Sequence, residues 1–270
     1  MPVAPTHDPL VIYGQSFSSR LLLGTSRYPS PAVLEAAVTQ AQPAMLTASL
    51  RRQNIAPADA GSADNSFWNL LRQLKVPVLP NTAGCHSIQE VFTTAQMARE
   101  VFETPWIKLE LIGDDYTLQP DTLNLVEAAS KLIKDGFKVL PYCTEDLVLC
   151  QRLVDVGCEA VMPWAAPIGT GKGPINPYAM RVLRERLAVP MIVDAGLGLP
   201  SHACQVMEWG FDAVLLNTAV ALAQDPVQMA GAFANAVRAG RDAFKAGAML
   251  EQQSAQASTP VLGTPFWHQA

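Results

Sequence analysis

The stretch PWIKLELIGDD, Pro105–Asp115, has the make-up of a buried strand except for two charged residues, Lys108 and Glu110. Side chains alternate across a strand. Ile107, Leu109 and Leu111 therefore share one face, and Lys108, Glu110 and Ile112 share the other. Two residues on one face lie about 6.6 Å apart along the strand. The apolar face suits packing on helices. The charged face then points into whatever the sheet encloses.

Seven further apolar runs flank this one in order: RLLLGT, AMLTASL and VPVLPNTAG before it, then FKVLPYC, AVMPWAAP, VPMIVDAG and DAVLLNTA. Segments of helical pattern separate them, among them PSPAVLEAAVTQA, SIQEVFTTAQMAREVF, TLNLVEAASKLIKDG, DLVLCQRLVDVG and SHACQVMEWG. Gly136, Gly157 and Gly210 stand where a helix stops, each just before the next run. Strands alternating with helices imply a parallel sheet. Eight such units in 270 residues fit a TIM (β/α)8 barrel. A doubly wound sheet is the alternative, but no shift in composition divides the chain. The expected organisation is one barrel domain over residues 1–249 and a flexible C-terminal tail over 250–270. LVIYGQSFSSRLLLGT reads as a short hairpin leading into the first strand, and PFWH near the C-terminus as a segment able to dock.

The net charge is −5, which argues against a general nucleic-acid binder. Hydrophobic residues make up 49% of the chain, enough for a large core. The five cysteines form no C-x-x-C pair and are odd in number, so a disulfide framework is not expected and a reduced, cytoplasmic setting fits. They read as small buried hydrophobes, with Cys143 near a strand end as a candidate site-lining residue. MPVAPTHDPL lacks the pattern of a secretory signal. No apolar segment approaches the roughly 18 residues of a membrane span. His7, His86, His202 and His268 show no metal-ligand spacing, and His202 is expected at the surface.

An internal ion pair is the plain structural reading of Lys108 and Glu110. Burying charge is costly, however, and such a pair is often no better than a hydrophobic filling. A buried lysine has its pKa lowered, which makes it a nucleophile toward carbonyls. A neighbouring carboxylate can then move protons. IVDAGLG ends its strand with Asp194, followed by Ala195, Gly196 and Gly198. Glycines there let backbone N–H groups approach an anion. LLNTA ends the last strand with Asn217 and Thr218. In barrels the loops after strands 7 and 8 commonly bind phosphate; tight turns with helix caps are the competing reading. APIGTGKG resembles a P-loop but has Ala166 and Gly173 where that motif needs Gly and Ser or Thr. It reads instead as a glycine-rich loop over a ligand, with Lys172 a solvated rival to Lys108.

Taken together, SRLLLGT, YPSP, LRR, PNTAGC, WIKLELIGDD, GFKVLPYCTED, APIGTGKG, NPYAMRVL, VPMIVDAGLG and DAVLLNTAVA resemble the thiazole synthase family of thiamine biosynthesis. The likeness implies a TIM-barrel enzyme acting on 1-deoxy-D-xylulose 5-phosphate. It implies that Lys108 forms an imine with the sugar ketone and that Glu110 and Asp194 shuttle protons. Gly169, Ala195, Gly196, Asn217 and Thr218 would contact the sugar phosphate. Sulfur would arrive as a thiocarboxylate on a small ubiquitin-like sulfur-carrier protein, and a carbon–nitrogen unit as dehydroglycine from another enzyme. The product would be a thiazole phosphate carboxylate. The family uses no metal or organic cofactor for this step, and its members are homo-oligomers. This chain departs from the family pattern at Ser26, Arg27, Trp164 and Ala165, and carries Ser49 in place of an apolar residue. The competing readings are a class I aldolase-like Schiff-base barrel acting on another sugar phosphate and a non-catalytic phosphate-binding barrel.

Overall fold

All eight apolar runs become parallel strands in the computed structural model, which describes residues 8–50 and 64–256. These are β1 (Leu21–Gly24), β2 (Met45–Ser49), β3 (Val78–Asn81), β4 (Trp106–Leu109), β5 (Lys138–Cys143), β6 (Met162–Pro163), β7 (Ile192–Asp194) and β8 (Ala213–Leu216). Their lateral order is β6-β5-β4-β3-β2-β1-β8-β7. Parallel bridges from Val161 to Met191 and from Trp164 to Asp194 join the two outer strands and close the TIM barrel. The described helices are α1 (Pro31–Ala41), α2 (Asp64–Leu74), α3 (Ile88–Phe102), α4 (Leu125–Lys134), α5 (Leu147–Asp155), α6 (Pro177–Arg186), α7 (Pro200–Glu208), α8 (Thr218–Ala221) and α9 (Pro226–Ala246). Ser30, Ser87, Asp146, Asn176 and Asp225 cap five of them through side-chain oxygens. Gly136, Gly157 and Gly210 stop three of them at φ of 85°, 107° and 89°. The Arg51–Arg52 pair of LRR, the PFWH segment, His7 and His268 lie outside the described residues.

The barrel interior is layered. One inward side chain from each strand forms an apolar floor: Leu22, Met45, Leu79, Trp106, Leu140, Met162, Ile192 and Leu215. A hairpin of Leu10–Ile12 and Gln15–Phe17 plugs the barrel below it, adding Leu10, Ile12 and Phe17 to the same cluster. Tyr13, at the hairpin tip, accepts from the Val139 N–H (3.1 Å) and donates to the Val139 carbonyl (2.9 Å). Ile107, Leu109 and Leu111 pack outward among the helices, as the alternation in Pro105–Asp115 predicts. Polar inward residues above the floor therefore sit in a chamber closed from below.

The lead-in is also tied by charge. Asp8 binds the Arg241 guanidinium at two points (2.8 and 3.1 Å) and Arg20 at 3.1 Å. The hydrogen bond from Arg241, with the charges of Arg20 and Arg241, overrides desolvation and lowers the Asp8 carboxyl from 3.8 to about 2. A depressed carboxylate pKa gives stability that is present above the unfolded value and lost as pH falls through the folded one. Asp8→Asn is therefore expected to cost about 1 kcal/mol at pH 7, allowing for solvent screening. The difference from the parent should vanish between pH 4 and 2, as read by urea unfolding across that range. A gap that persisted at the acid end would assign the loss to packing.

Candidate active site

β4 and β7 bring three charged groups together just above the floor. Lys108 Nζ lies 2.6 Å from Asp194 Oδ2 and 3.1 Å from Glu110 Oε1. All three side chains are buried, with Lys108 only 7% exposed. Glu110 falls one residue past the end of β4, where Thr82 fixes it. Its N–H donates to Thr82 Oγ1 (2.8 Å), and the Thr82 hydroxyl donates to the Glu110 carbonyl (2.7 Å). The partnership of Lys108 with Glu110 follows from the strand alternation. That with Asp194 comes from the closure of the barrel.

The second carboxylate reverses the expected electrostatics of the lysine. Desolvation pushes the Lys108 pKa down, but the negative charges of Asp194 and Glu110 and their hydrogen bonds raise it above the ordinary lysine value. The sequence expectation of a lowered pKa is corrected on that ground: in the unliganded site Lys108 is an ammonium. Asp194 is displaced upward by its own burial, against the pull of Lys108. A buried carboxyl of raised basicity directly beside the ammonium makes Asp194 the natural first acceptor of its proton.

A cavity of about 760 Å³ opens above this cluster, and all the expected site residues line it: Lys108, Glu110 and Asp194 at its base, Gly169, Ala195 and Gly196 on one rim, and Asn217 with Thr218 beside them. Ala195 and Gly196 are consecutive left-handed residues, at φ of 64° and 76°. For alanine this conformation is strained. The strand-6 loop holds it in place: Ala165 N–H donates to the Ala195 carbonyl (3.2 Å) and Gly173 N–H to the Gly196 carbonyl (2.8 Å). A Cβ on Gly196 would fall 2.4 Å from Ala166 N, and one on Gly198 would fall 2.3 Å from the Gly171 carbonyl oxygen. The glycines of the two loops thus serve close backbone packing as well as the cavity wall.

His202 completes this junction and is not the surface residue expected from sequence. Its Nδ1 accepts from the N–H groups of Gly198 (3.2 Å) and Leu199 (3.3 Å), and its ring would stand 2.9 Å from a Cβ on Gly173. Lys172 is exposed, away from the buried charges. Cys143 is also corrected: it faces the outer core, fully buried, with its Sγ 3.7 Å from that of Cys150.

Sequence reasoning missed several wall residues. Tyr142 places its ring 5.6 Å from Lys108 Nζ, and Trp164 packs edge-on against Tyr142 at 6.4 Å. The Trp164 indole N–H donates to Glu145, which also accepts from Asn176 Nδ2 at 3.2 Å. These aromatics lie behind Ile112, Leu118 and Ile168, which line the cavity on the β5–β6 side. On the opposite side Asn217 lies over Gly24, where a Cβ would be 2.5 Å from the asparagine Cβ. Its Nδ2 donates to Ser26 Oγ (2.9 Å), while its Oδ1 is buried without a hydrogen-bond partner. The inward parity of β1 and β5 was the available signal for Gly24 and Tyr142.

The chain is similar along nearly its whole length to known proteins. The family model described as thiazole biosynthesis protein ThiG matches residues 11–260. The thiazole synthase of Variovorax paradoxus (strain S110) is 80% identical over 266 residues, covering 98% of this chain and 97% of that protein. That of Paracidovorax citrulli (strain AAC00-1) is also 80% identical, covering 99% and 98%. Among solved structures, a chain of the Amycolatopsis orientalis BexX/CysO complex superposes with a TM-score of 0.79 at 28% identity, covering 92% of this chain and all of that one. With a family match spanning the barrel and relatives this similar, the chain belongs to the thiazole biosynthesis protein ThiG family.

Proposed function

We propose that this chain is a thiazole synthase of thiamine biosynthesis working through an imine on Lys108. The observation that carries the chemistry is a buried lysine between two carboxylates at the base of a cavity. The family membership supports the substrates: 1-deoxy-D-xylulose 5-phosphate, dehydroglycine and a protein-bound thiocarboxylate.

The steps follow from the distances. The sugar phosphate docks with its anion on the rim formed by Gly169, Ala195, Gly196, Asn217 and Thr218. Lys108 passes its ammonium proton to Asp194, 2.6 Å away, and the free amine adds to the sugar ketone. The carbon–nitrogen bond forms, the carbonyl oxygen leaves as water, and an imine remains. Glu110 and Asp194 then remove and return protons on adjacent carbons, which moves the carbonyl along the sugar. The carrier thiocarboxylate gives its sulfur to the sugar carbonyl and leaves as a carboxylate that keeps the displaced oxygen. Dehydroglycine then adds, its nitrogen displaces the Lys108 amine, and ring closure with loss of water gives the thiazole phosphate carboxylate. The apolar floor and the Ile112, Leu118 and Ile168 lining, backed by Tyr142 and Trp164, limit the access of water to the imine. The test is direct: the purified protein, given deoxyxylulose phosphate, dehydroglycine and the carrier thiocarboxylate, forms the thiazole product by mass spectrometry. An aldol cleavage of sugar phosphates instead would favour the aldolase reading.

The partner is read from the loop after β6. A sulfur on a protein tail reaches Lys108 only along a narrow path, and Gly169 and Gly171 line the cavity mouth. A relative that crystallises as a two-protein complex supports a protein partner. Gly171 is the informative position, because a Cβ there meets only Gly198 Cα, at 3.5 Å, although its φ of 64° adds strain. Gly171→Leu is expected to lower turnover with the carrier protein at least about tenfold while leaving sugar trapping at Lys108 within a few-fold. Equal loss of both would confine the loop to the sugar. Localisation in the cytoplasm and assembly as a homo-oligomer belong to the same reading. Among the described residues no helix is long and apolar enough to cross a membrane.

A further inference from the structure

The walls of the cavity differ in chemistry. On the β5–β6 side Tyr142 and Trp164 back an apolar lining of Ile112, Leu118 and Ile168. β7 and β8 lead into the loops read above as the phosphate rim. β2 and β3 remain, and their inward side chains are small, neutral and polar: Thr47, Ser49 and Asn81, all lining the cavity. They stand in register with the reactive lysine. Ser49 pairs with Asn81, and Asn81 pairs with Lys108, so the three form one row across adjacent strands. Strand spacing puts Asn81 about 5 Å and Ser49 about 10 Å from Lys108 along that row.

The row offers donors. Asn81 uses its Oδ1 to accept from the Ala83 N–H (3.3 Å), leaving its NH2 as the group presented to the cavity. Ser49 Oγ is buried without a hydrogen-bond partner in the structure. Thr47 is 7% exposed, and the Thr25 hydroxyl bonds its carbonyl (2.8 Å), not its side chain. An unsatisfied buried polar atom is costly, and one that lines a cavity can be completed by a water or a ligand there. A ligand group that only accepts hydrogen bonds, with no bulk, matches this set: a small carboxylate. About 760 Å³ is the room of a drug-sized ligand, more than a five-carbon sugar phosphate fills.

We propose that the inner faces of β2 and β3 form the subsite for the second small substrate, an imine-bearing carboxylate, with Asn81, Thr47 and Ser49 as its donors. The proposal rests on the reading of Lys108 as the imine-forming residue. A molecule held there meets the Lys108-bound sugar from a wall that is neither apolar nor read as the phosphate rim. Glu110, tied to Thr82 at the end of β3, lies next to the same wall and can serve a proton transfer between the two substrates.

Asn81→Asp keeps the oxygen that bonds Ala83 but replaces the donor with a like charge. Thr47→Val keeps the shape of the threonine, and Ser49→Ala removes only an unpartnered hydroxyl. Glyoxylate with ammonia supplies the imine carboxylate in solution and is the probe, at saturating sugar and carrier thiocarboxylate. Asn81→Asp is expected to raise the apparent KM for glyoxylate at least about 100-fold, Thr47→Val about tenfold and Ser49→Ala a few-fold, the scale of hydrogen bonds to a charged group. Borohydride trapping of the sugar at Lys108 should stay within a few-fold of the parent in Thr47→Val and Ser49→Ala, which add no charge beside the lysine. An unmoved KM in Asn81→Asp and Thr47→Val overturns the subsite and leaves the imine reading standing. Trapping that falls in step with KM in Thr47→Val assigns the wall to the sugar. A parent protein that traps no sugar overturns the imine reading itself.

Discussion

Lys108→Arg is expected to abolish turnover while leaving the barrel folded. A guanidinium stays protonated under all working conditions and is no nucleophile toward a ketone. It keeps the positive charge that Glu110 and Asp194 enclose at 3.1 and 2.6 Å, so neither carboxylate is left buried without a counter-charge. Circular dichroism and thermal melting should therefore stay close to the parent. Lys108→Ala is the contrasting variant. It removes the nucleophile and the counter-charge together, and breaking a buried ion pair costs about 3–5 kcal/mol. Loss of activity without loss of stability in the arginine variant, and of both in the alanine variant, separates chemistry from packing. Turnover of Lys108→Arg within tenfold of the parent would remove the imine from the mechanism.

Asp194→Asn and Glu110→Gln are each expected to slow turnover by about 10²–10⁴-fold, the usual worth of a positioned acid or base. Both replacements keep shape and lose the proton-accepting oxygen. KM for the sugar phosphate should move much less, because its anion is read here as held by the rim above. Steady-state kinetics with deoxyxylulose phosphate as the varied substrate checks the split. A normal rate in Glu110→Gln would reduce that residue to a structural partner of Lys108. A raised KM with unchanged rate would make either carboxylate a binding group.

The barrel was legible because each strand is a short apolar run closed by polar or glycine-rich turn residues. The alternation in Pro105–Asp115 placed Lys108 and Glu110 inward and Ile107, Leu109 and Leu111 outward, where the structure has them. Asp194 and the loops after β7 and β8 were legible from strand-end position. The protonation state of Lys108 was not. It depends on Asp194, a partner far along the chain that only barrel closure brings within 2.6 Å. α9 was hidden for another reason: its buried face includes Ala230, Gly231, Ala234 and Gly240, small residues that allow close packing but give a weak apolar period. A Cβ on Gly240 would fall 2.4 Å from the Cys204 carbonyl oxygen of α7. The lock that His202 makes on the glycine loops and the Ser49–Asn81–Lys108 row are products of register and loop packing. No local pattern encodes either.

Borohydride reduction in the presence of 1-deoxy-D-xylulose 5-phosphate, followed by peptide mass spectrometry, tests the central claim most directly. Reduction turns a transient imine into a stable secondary amine. One sugar adduct is expected, on the peptide that contains Lys108, and none in Lys108→Arg. An adduct on Lys172 of the glycine-rich loop, or no adduct from a protein that turns over, would contradict it.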